Sequence, residues 1–290
     1  MKETKENLAK IHFDKWSKSI IKNDFVKETL SIHFGYYTKY TKTLKDAIFN
    51  MNEYIAELLK LENKKNIKIL DAGCGIGGTI IYLAKKYPNV SFIGITNSPN
   101  QINIGKLFAK KHNVTNVKFM CGNYENTEFP EKTFDGVFAL ESACYSQDYR
   151  AFLNEMNRIL KKTGRLVIID VFRRPGSLNF ITKKIYQRFC NNFDYMNITT
   201  ISEYEESLKL KGFYDTYIKD MSKNVRFSIF YYNVRTAVRF WVKIAKFFSH
   251  LKNNNKDFLN YAFKNNTFSW LCIFDIFRIT GYYGISTVKN

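Results

Sequence analysis

The chain has 290 residues, of which 45% are hydrophobic and 24% charged, ordinary proportions for a globular protein with a sizeable core. Forty-five Lys and Arg against 26 Asp and Glu leave a net charge of +19, an excess that favours anionic partners: phosphate esters, nucleic acid or an acidic membrane face. No apolar run reaches the length of a bilayer-spanning helix, and the five cysteines (74, 121, 144, 190 and 272) show neither CxxC pairing nor metal-ligand spacing.

The N-terminus, Met1-Lys2-Glu3-Thr4-Lys5-Glu6, is charged throughout and has no secretory pattern; with the odd cysteine count this predicts reduced thiols in a cytoplasmic protein. Residues 1–60 read as helical and polar, interrupted by Ile32-His33-Phe34-Gly35-Tyr36-Tyr37. From Leu44 to Leu61 the apolar residues Ala47, Ile48, Met51, Ile55, Leu58 and Leu59 fall at helical spacing. Ile67 to Leu70 reads as a buried strand, followed by Asp71, a glycine cluster and a helix over 79–86. A second strand is expected at 90–96. Ser98-Pro99 then opens a helix, with Ser as cap and Pro in its first turn. Strands follow at 117–121 and 134–140, the latter ending at Glu141. Tyr149 to Leu160 is an amphipathic helix stopped by Thr163-Gly164, and Arg165 to Asp170 is a fifth strand. This alternation predicts an α/β fold, a Rossmann-like, mostly parallel sheet with helices on both faces.

Beyond Arg173-Arg174-Pro175-Gly176 the alternation stops. Residues 177–210 read as helical, 223–275 as a long basic and aromatic stretch, and Gly281 to Val288 as a final strand. The expected organisation is an N-terminal helical lid (1–60), a nucleotide-binding core (61–172), a helical substrate cap with remaining core elements (173–275) and the last strand (276–290).

A strand, a glycine turn and a helix form a corner where backbone N–H groups meet a ligand at a helix start. In a dinucleotide site the acid comes about 20 residues later. Here Asp71 stands before the glycines, where a carboxylate repels pyrophosphate and attracts an ammonium or sulfonium. Asp-x-Gly-x-Gly-x-Gly resembles the motif of class I S-adenosylmethionine (SAM) methyltransferases, and the resemblance implies SAM as cofactor. It places Asp71, Gly73, Gly75 and Gly77 at the methionine half of SAM. Many of these enzymes end strand two in an acid that holds the ribose; this chain has Thr96-Asn97 followed by Gln101. That departure resembles the sterol, tocopherol and cyclopropane-fatty-acid branch, in which a Gln one turn into the helix binds the ribose. Asn123 and Tyr124 match the adenine position.

Glu141 heads Glu141-Ser142-Ala143-Cys144-Tyr145 directly after strand four. A carboxylate there is partly desolvated, which raises its pKa and suits a general base; a helix N-cap or a hydrogen bond to a lid tyrosine is the alternative. The segment is similar to Glu-Ser-x-x-Tyr of isoprenoid-diphosphate C-methyltransferases, where the Glu deprotonates the methylated carbocation; the same resemblance brings in Tyr145. The stretch from Ile32 to Tyr37 resembles this branch's lid, whose aromatics, here Tyr36, close over the sulfonium. His33 is an alternative base. Phe277-Arg278-Ile279-Thr280-Gly281-Tyr282 resembles the ending of cyclopropane synthases, but the bicarbonate-holding His of those enzymes is absent. Arg173, Arg174, Lys183, Lys184 and Arg188 are candidates for binding a diphosphate, or form a solvated helix face.

The expected activity is methyl transfer to an unsaturated carbon of a small apolar, isoprenoid-like or diphosphate-bearing acceptor. O- or N-methylation of a small molecule and non-catalytic SAM binding are the rivals. No metal site is expected from the four scattered histidines. Nucleic acid is disfavoured because the basic residues are diffuse and no Asn/Asp-Pro-Pro-Tyr or catalytic Pro-Cys motif follows strand four. Peripheral membrane contact and a homo-oligomer are left open.

Overall fold

The computed structural model describes residues 24–31, 33–192, 195, 198–231, 234 and 279–290. Most of the basic and aromatic stretch and the first 23 residues therefore lie outside the described residues. Seven strands form one sheet: β1 (Lys68–Ala72), β2 (Ser91–Thr96), β3 (Val117–Cys121), β4 (Phe134–Leu140), β5 (Leu160–Arg173), β6 (Phe213–Asp220) and β7 (Thr280–Lys289). Their order is β3-β2-β1-β4-β5-β7-β6. The first five are parallel to their neighbours, and β7 runs antiparallel to both β5 and β6. The chain reverses its direction of travel between β1 and β4, and open α/β sheets bind ligands beyond the carboxyl ends at such a point.

The helices are α1 (Asp24–Thr29), α2 (Leu44–Leu58), α3 (Gly78–Lys86), α4 (Pro99–Lys111), α5 (Tyr149–Ile159), α6 (Phe180–Asn192) and α7 (Ile201–Leu210), with a further helix, α8, over 222–231. A sheet covered on both faces needs apolar residues at consecutive strand positions. Val137-Phe138-Ala139 and Leu166-Val167-Ile168-Ile169 supply them and are buried. Ser98 caps α4 by accepting from Gln101 N at 3.2 Å, with Pro99 in the first turn, as the sequence predicts.

Three expectations change. First, α2 belongs to the core and not to a lid. Ala47, Ile48, Met51 and Ile55 are fully buried, and its end lies over β4 and β7, where Leu58 O accepts from Ser286 Oγ at 3.3 Å. Second, β5 starts at Leu160. Thr163 and Gly164 do not simply stop the helix; they lie where the β4 pairing jumps from Phe134↔Leu160 to Gly136↔Arg165, an irregularity that absorbs the extra residues. Third, the segment after α7 is a strand. β6 is an edge strand whose register shifts between Tyr214 and Tyr217, with Asp215 at φ 50°, so no clean alternation marks it.

Candidate active site

The glycine turn joins β1 to α3. Gly73, Gly75 and Gly77 have φ of 97°, 54° and 84°, a left-handed backbone that glycine adopts without strain. A Cβ on Gly73 would lie 2.4 Å from Ser142 Cβ, so the turn and the loop after β4 touch directly. Ser142 Oγ donates to Ala72 O at 2.6 Å and locks that contact. Asp71 is buried beneath the turn, and burial alone pushes its carboxyl well above the usual carboxylate range. A buried carboxyl raised by desolvation gains most from a positively charged group brought against it. The turn and this carboxyl fit a sulfonium- or ammonium-bearing nucleoside.

After β2, Thr96 Oγ1 accepts from Ser98 N at 3.4 Å and donates to Gln101 Oε1 at 2.7 Å. The Thr96 bond occupies the Gln101 carbonyl oxygen and so orients the amide. Asn97 is half-buried in the same loop. Tyr124 lies against the glycine turn: its hydroxyl donates to Ser142 O at 2.8 Å, and its ring meets Phe152 edge-on with centroids 5.5 Å apart. Asn123, expected at an adenine, is exposed, and its Oδ1 accepts from Glu125 N at 2.8 Å. It makes a local turn, and only its NH2 end remains for a ligand.

Glu141 stands at the carboxyl end of β4 with φ 49°, its N–H bonded to Ile169 O at 2.8 Å. It is only partly exposed, and dense protein around the carboxyl raises its pKa from 4.5 to about 8. Two donors share one oxygen: Phe34 N at 2.8 Å and Tyr282 Oη at 2.7 Å both reach Oε1. These bonds oppose the rise, whereas nearby Asp170, itself raised by burial to about 6, adds to it. Rings gather around the acid. Phe34 and Tyr282 meet edge-on at 6.0 Å, Tyr145 lies 5.4 Å from Tyr195, and Tyr195 lies 5.4 Å from Phe189.

The 33–37 segment closes over this end of the sheet through its backbone. Phe34 N goes to Glu141, Gly35 N to Ser228 Oγ at 2.8 Å, Tyr36 N to Ala47 O at 2.8 Å and Tyr37 N to Asn224 O at 2.9 Å. Four consecutive donors thus land on β4's end, α8, α2 and α8 again.

Several expected residues are not brought to the site in the expected role. His33 is buried, its Nδ1 donates to Phe34 O at 2.9 Å, and desolvation lowers its pKa to about 4. It is a weak base, enclosed beside Asn52. Tyr36 stacks on Tyr54 at 5.0 Å, and its hydroxyl accepts from Lys219 Nζ at 2.8 Å, which turns the ring toward β6. Arg174 is a clasp: it donates to Asp220 at 2.9 Å, Tyr283 Oη at 3.1 Å, Ser222 Oγ at 3.1 Å and Thr280 O at 3.1 Å. Arg173 donates to Gly176 O at 2.8 Å, and Lys183, Lys184 and Arg188 are exposed on α6. These five do not form one diphosphate cradle. A tyrosine bond to Glu141 was the expected alternative to a base, and Tyr282 supplies it, although the sequence marks Tyr282 only within a resemblance; Phe34's amide left no signal at all.

This sheet order, with its antiparallel seventh strand and glycine corner, is that of the class I SAM-dependent methyltransferases. The methyltransferase-domain family matches residues 63–256, and the chain belongs to it. It is 33% identical over 178 residues to a probable chloroplastic tocopherol O-methyltransferase of Oryza sativa subsp. japonica, covering 56% of this chain and 46% of that protein. It is 29% identical over 141 residues to sterol 24-C-methyltransferase of Kluyveromyces lactis, covering 48% of this chain and 37% of that one. The chain thus spans under half the length of these two relatives. Among solved structures, a geranyl diphosphate methyltransferase in complex with GPP and sinefungin superposes with a TM-score of 0.73 at 15% identity, over 97% of this chain and 99% of that one. At that identity the likeness shows the fold.

Proposed function

We propose that the chain transfers a methyl group from SAM to an unsaturated carbon of a small apolar, isoprenoid-like acceptor, with Glu141 as general base. The observation that carries this reading is a carboxyl raised to about 8 among aromatic rings at the carboxyl end of β4. A base with a pKa near the working pH balances availability against strength. Ring faces stabilise a passing cation without trapping it. SAM, when bound, supplies an electrophilic methyl on a cationic sulfur. Gly73, Gly75 and Gly77 would cradle its amino-acid half, Asp71 would meet its positive charge and Gln101 its ribose. The acceptor's π pair forms the new carbon–carbon bond as the carbon–sulfur bond breaks. The adjacent C–H pair then restores the alkene, and its proton passes to Oε2, because Oε1 is held by Phe34 and Tyr282.

Methyl transfer to oxygen or nitrogen is the second reading, favoured by the similarity to a tocopherol O-methyltransferase. The two are separated by incubating the protein with methyl-labelled SAM and either geranyl diphosphate or a neutral prenol and phenol panel. A label on carbon in the NMR spectrum, lost about 10²- to 10⁴-fold in Glu141→Gln while S-adenosylhomocysteine still binds, supports the proposal. A label on oxygen or nitrogen, or full activity in Glu141→Gln, rejects it.

A further inference from the structure

β5 and β6 are both antiparallel to β7, so their carboxyl ends lie at the same edge of the sheet as Glu141. A helix follows each end: α6 after β5 and α8 after β6. Neither helix contains an acidic residue. Each turns an apolar side inward, with Phe189 on α6 and Val225 on α8 buried. Each also exposes large apolar residues beside cations. On α6, Phe180 is 73% and Ile181 68% exposed, next to exposed Lys183, Lys184 and Arg188. On α8, Phe230 is 60% exposed, next to exposed Lys223 and Arg226. Lys184 Nζ lies 4.3 Å from the Phe180 ring centroid, so the cation and the ring share one patch. The tip of the 38–42 turn adds Tyr40, 77% exposed between Lys39 and Lys42. That tip hangs on α8, since Asn224 Nδ2 donates to Tyr37 O at 2.8 Å.

Phenylalanines standing among lysines on acid-free helices match the interfacial region of an anionic bilayer, where rings enter the acyl boundary and cations meet phosphates. We infer that α6, α8 and the 38–42 turn dock the protein on an anionic membrane surface. The docked edge is the one at which Glu141 stands, so an apolar acceptor would enter from the lipid and not through water. The docking itself stands on the placement of these helices and the net charge of +19, whatever the acceptor or the base.

The test is co-sedimentation of the full chain with vesicles of phosphatidylcholine alone or mixed with phosphatidylglycerol, over a salt series. Binding is expected to the anionic vesicles only, falling with salt, and changing about fivefold for each cation removed. Phe180→Ser with Ile181→Ser and Phe230→Ser should weaken it about tenfold or more at low salt, and Lys183→Glu with Lys184→Glu should do so in a salt-dependent way. All five positions are exposed, so unchanged melting temperatures and S-adenosylhomocysteine affinity would show the variants to be folded. Equal pelleting with neutral vesicles, no pelleting, or variants that bind as the parent does would overturn the proposal. So would retention of RNA at salt concentrations where vesicle binding is lost, since that would assign the cations to nucleic acid.

Discussion

Glu141 holds a left-handed backbone, φ 49°, at the end of a buried strand, a conformation that costs about 1–3 kcal/mol in a residue with a Cβ. The fold sustains it with the bond Glu141 N–H donates to Ile169 O and those its carboxylate accepts from Phe34 and Tyr282. The raised pKa gives a pH dependence with a definite sign. Between 4.5 and about 8 the folded state keeps a proton that the unfolded chain has released. The contribution of this group to stability is therefore full below about 4.5 and lost as pH rises through about 8. Glu141→Gln should melt progressively higher than the parent as pH is raised across that window, and a gap in melting temperature that does not change with pH would refute the assignment. Turnover, which needs the ionised base, should rise with pH toward about 8. Tyr282→Phe removes a donor that lowers this pKa, so the rising limb of the pH–rate profile should move to higher pH. A profile lowered in height alone would make Tyr282 a packing residue. The places of Asp71 and Glu141 at strand ends, and of Gln101 one turn into a helix, were legible in the sequence because each is defined by neighbours a few positions away. The two groups that orient Glu141 were not, since they come from 107 and 141 residues distant and one of them is a backbone amide.

The 33–37 segment has no regular secondary structure, yet its four successive N–H groups are each bonded to another element. Gly35 makes that approach feasible. A Cβ there would lie 2.5 Å from Ala47 Cβ and 3.0 Å from Ser228 Oγ. Gly35→Ala should therefore lift the segment off α2 and α8, at a cost of about 1–3 kcal/mol in denaturant unfolding, with faster amide exchange at residues 34–37 and reduced turnover. Unchanged exchange in that variant would show that the segment tolerates the bulk and is not zipped as described. Other elements were read with unequal success for a common reason. The parallel strands are short apolar runs between turn signals, so β1 to β4 were expected nearly in place. β6 is an edge strand with exposed Tyr214 and Tyr217, and its partner β7 comes some sixty residues later in the chain, beyond what local periodicity reports. α2 has helical spacing that reveals the helix, but spacing alone does not say that the buried face meets β4 and β7.

Across the whole molecule the sheet divides labour. The β1–β3 side presents the glycine turn, Asp71, Gln101 and Tyr124, while the β4–β6 side presents Glu141, its rings and the exposed helices. Arg174 ties the end of β5 to β6 and β7 through four side-chain bonds. Arg174→Ala should lower global stability by about 1–3 kcal/mol and leave acceptor affinity unchanged. Weakened acceptor binding at unchanged stability would instead place this arginine in the substrate site. The net charge was plain from composition, but the placement of Lys183, Lys184, Arg188, Lys223 and Arg226 on helices leaving the Glu141 edge was not, because strand order and direction decide which helices leave the same edge.

A cationic nucleoside held at the glycine turn, its charge met by Asp71, is what the proposed function needs first. Titration calorimetry with SAM and S-adenosylhomocysteine, in two buffers of different ionisation heat, tests it for the parent and for Asp71→Asn. Because Asp71 starts well above the usual carboxylate range, a bound cation should ionise it. Binding should release a proton and tighten as pH rises, both effects diminished in Asp71→Asn. No heat with either nucleoside, or tight binding that is independent of buffer and identical in Asp71→Asn, would contradict it.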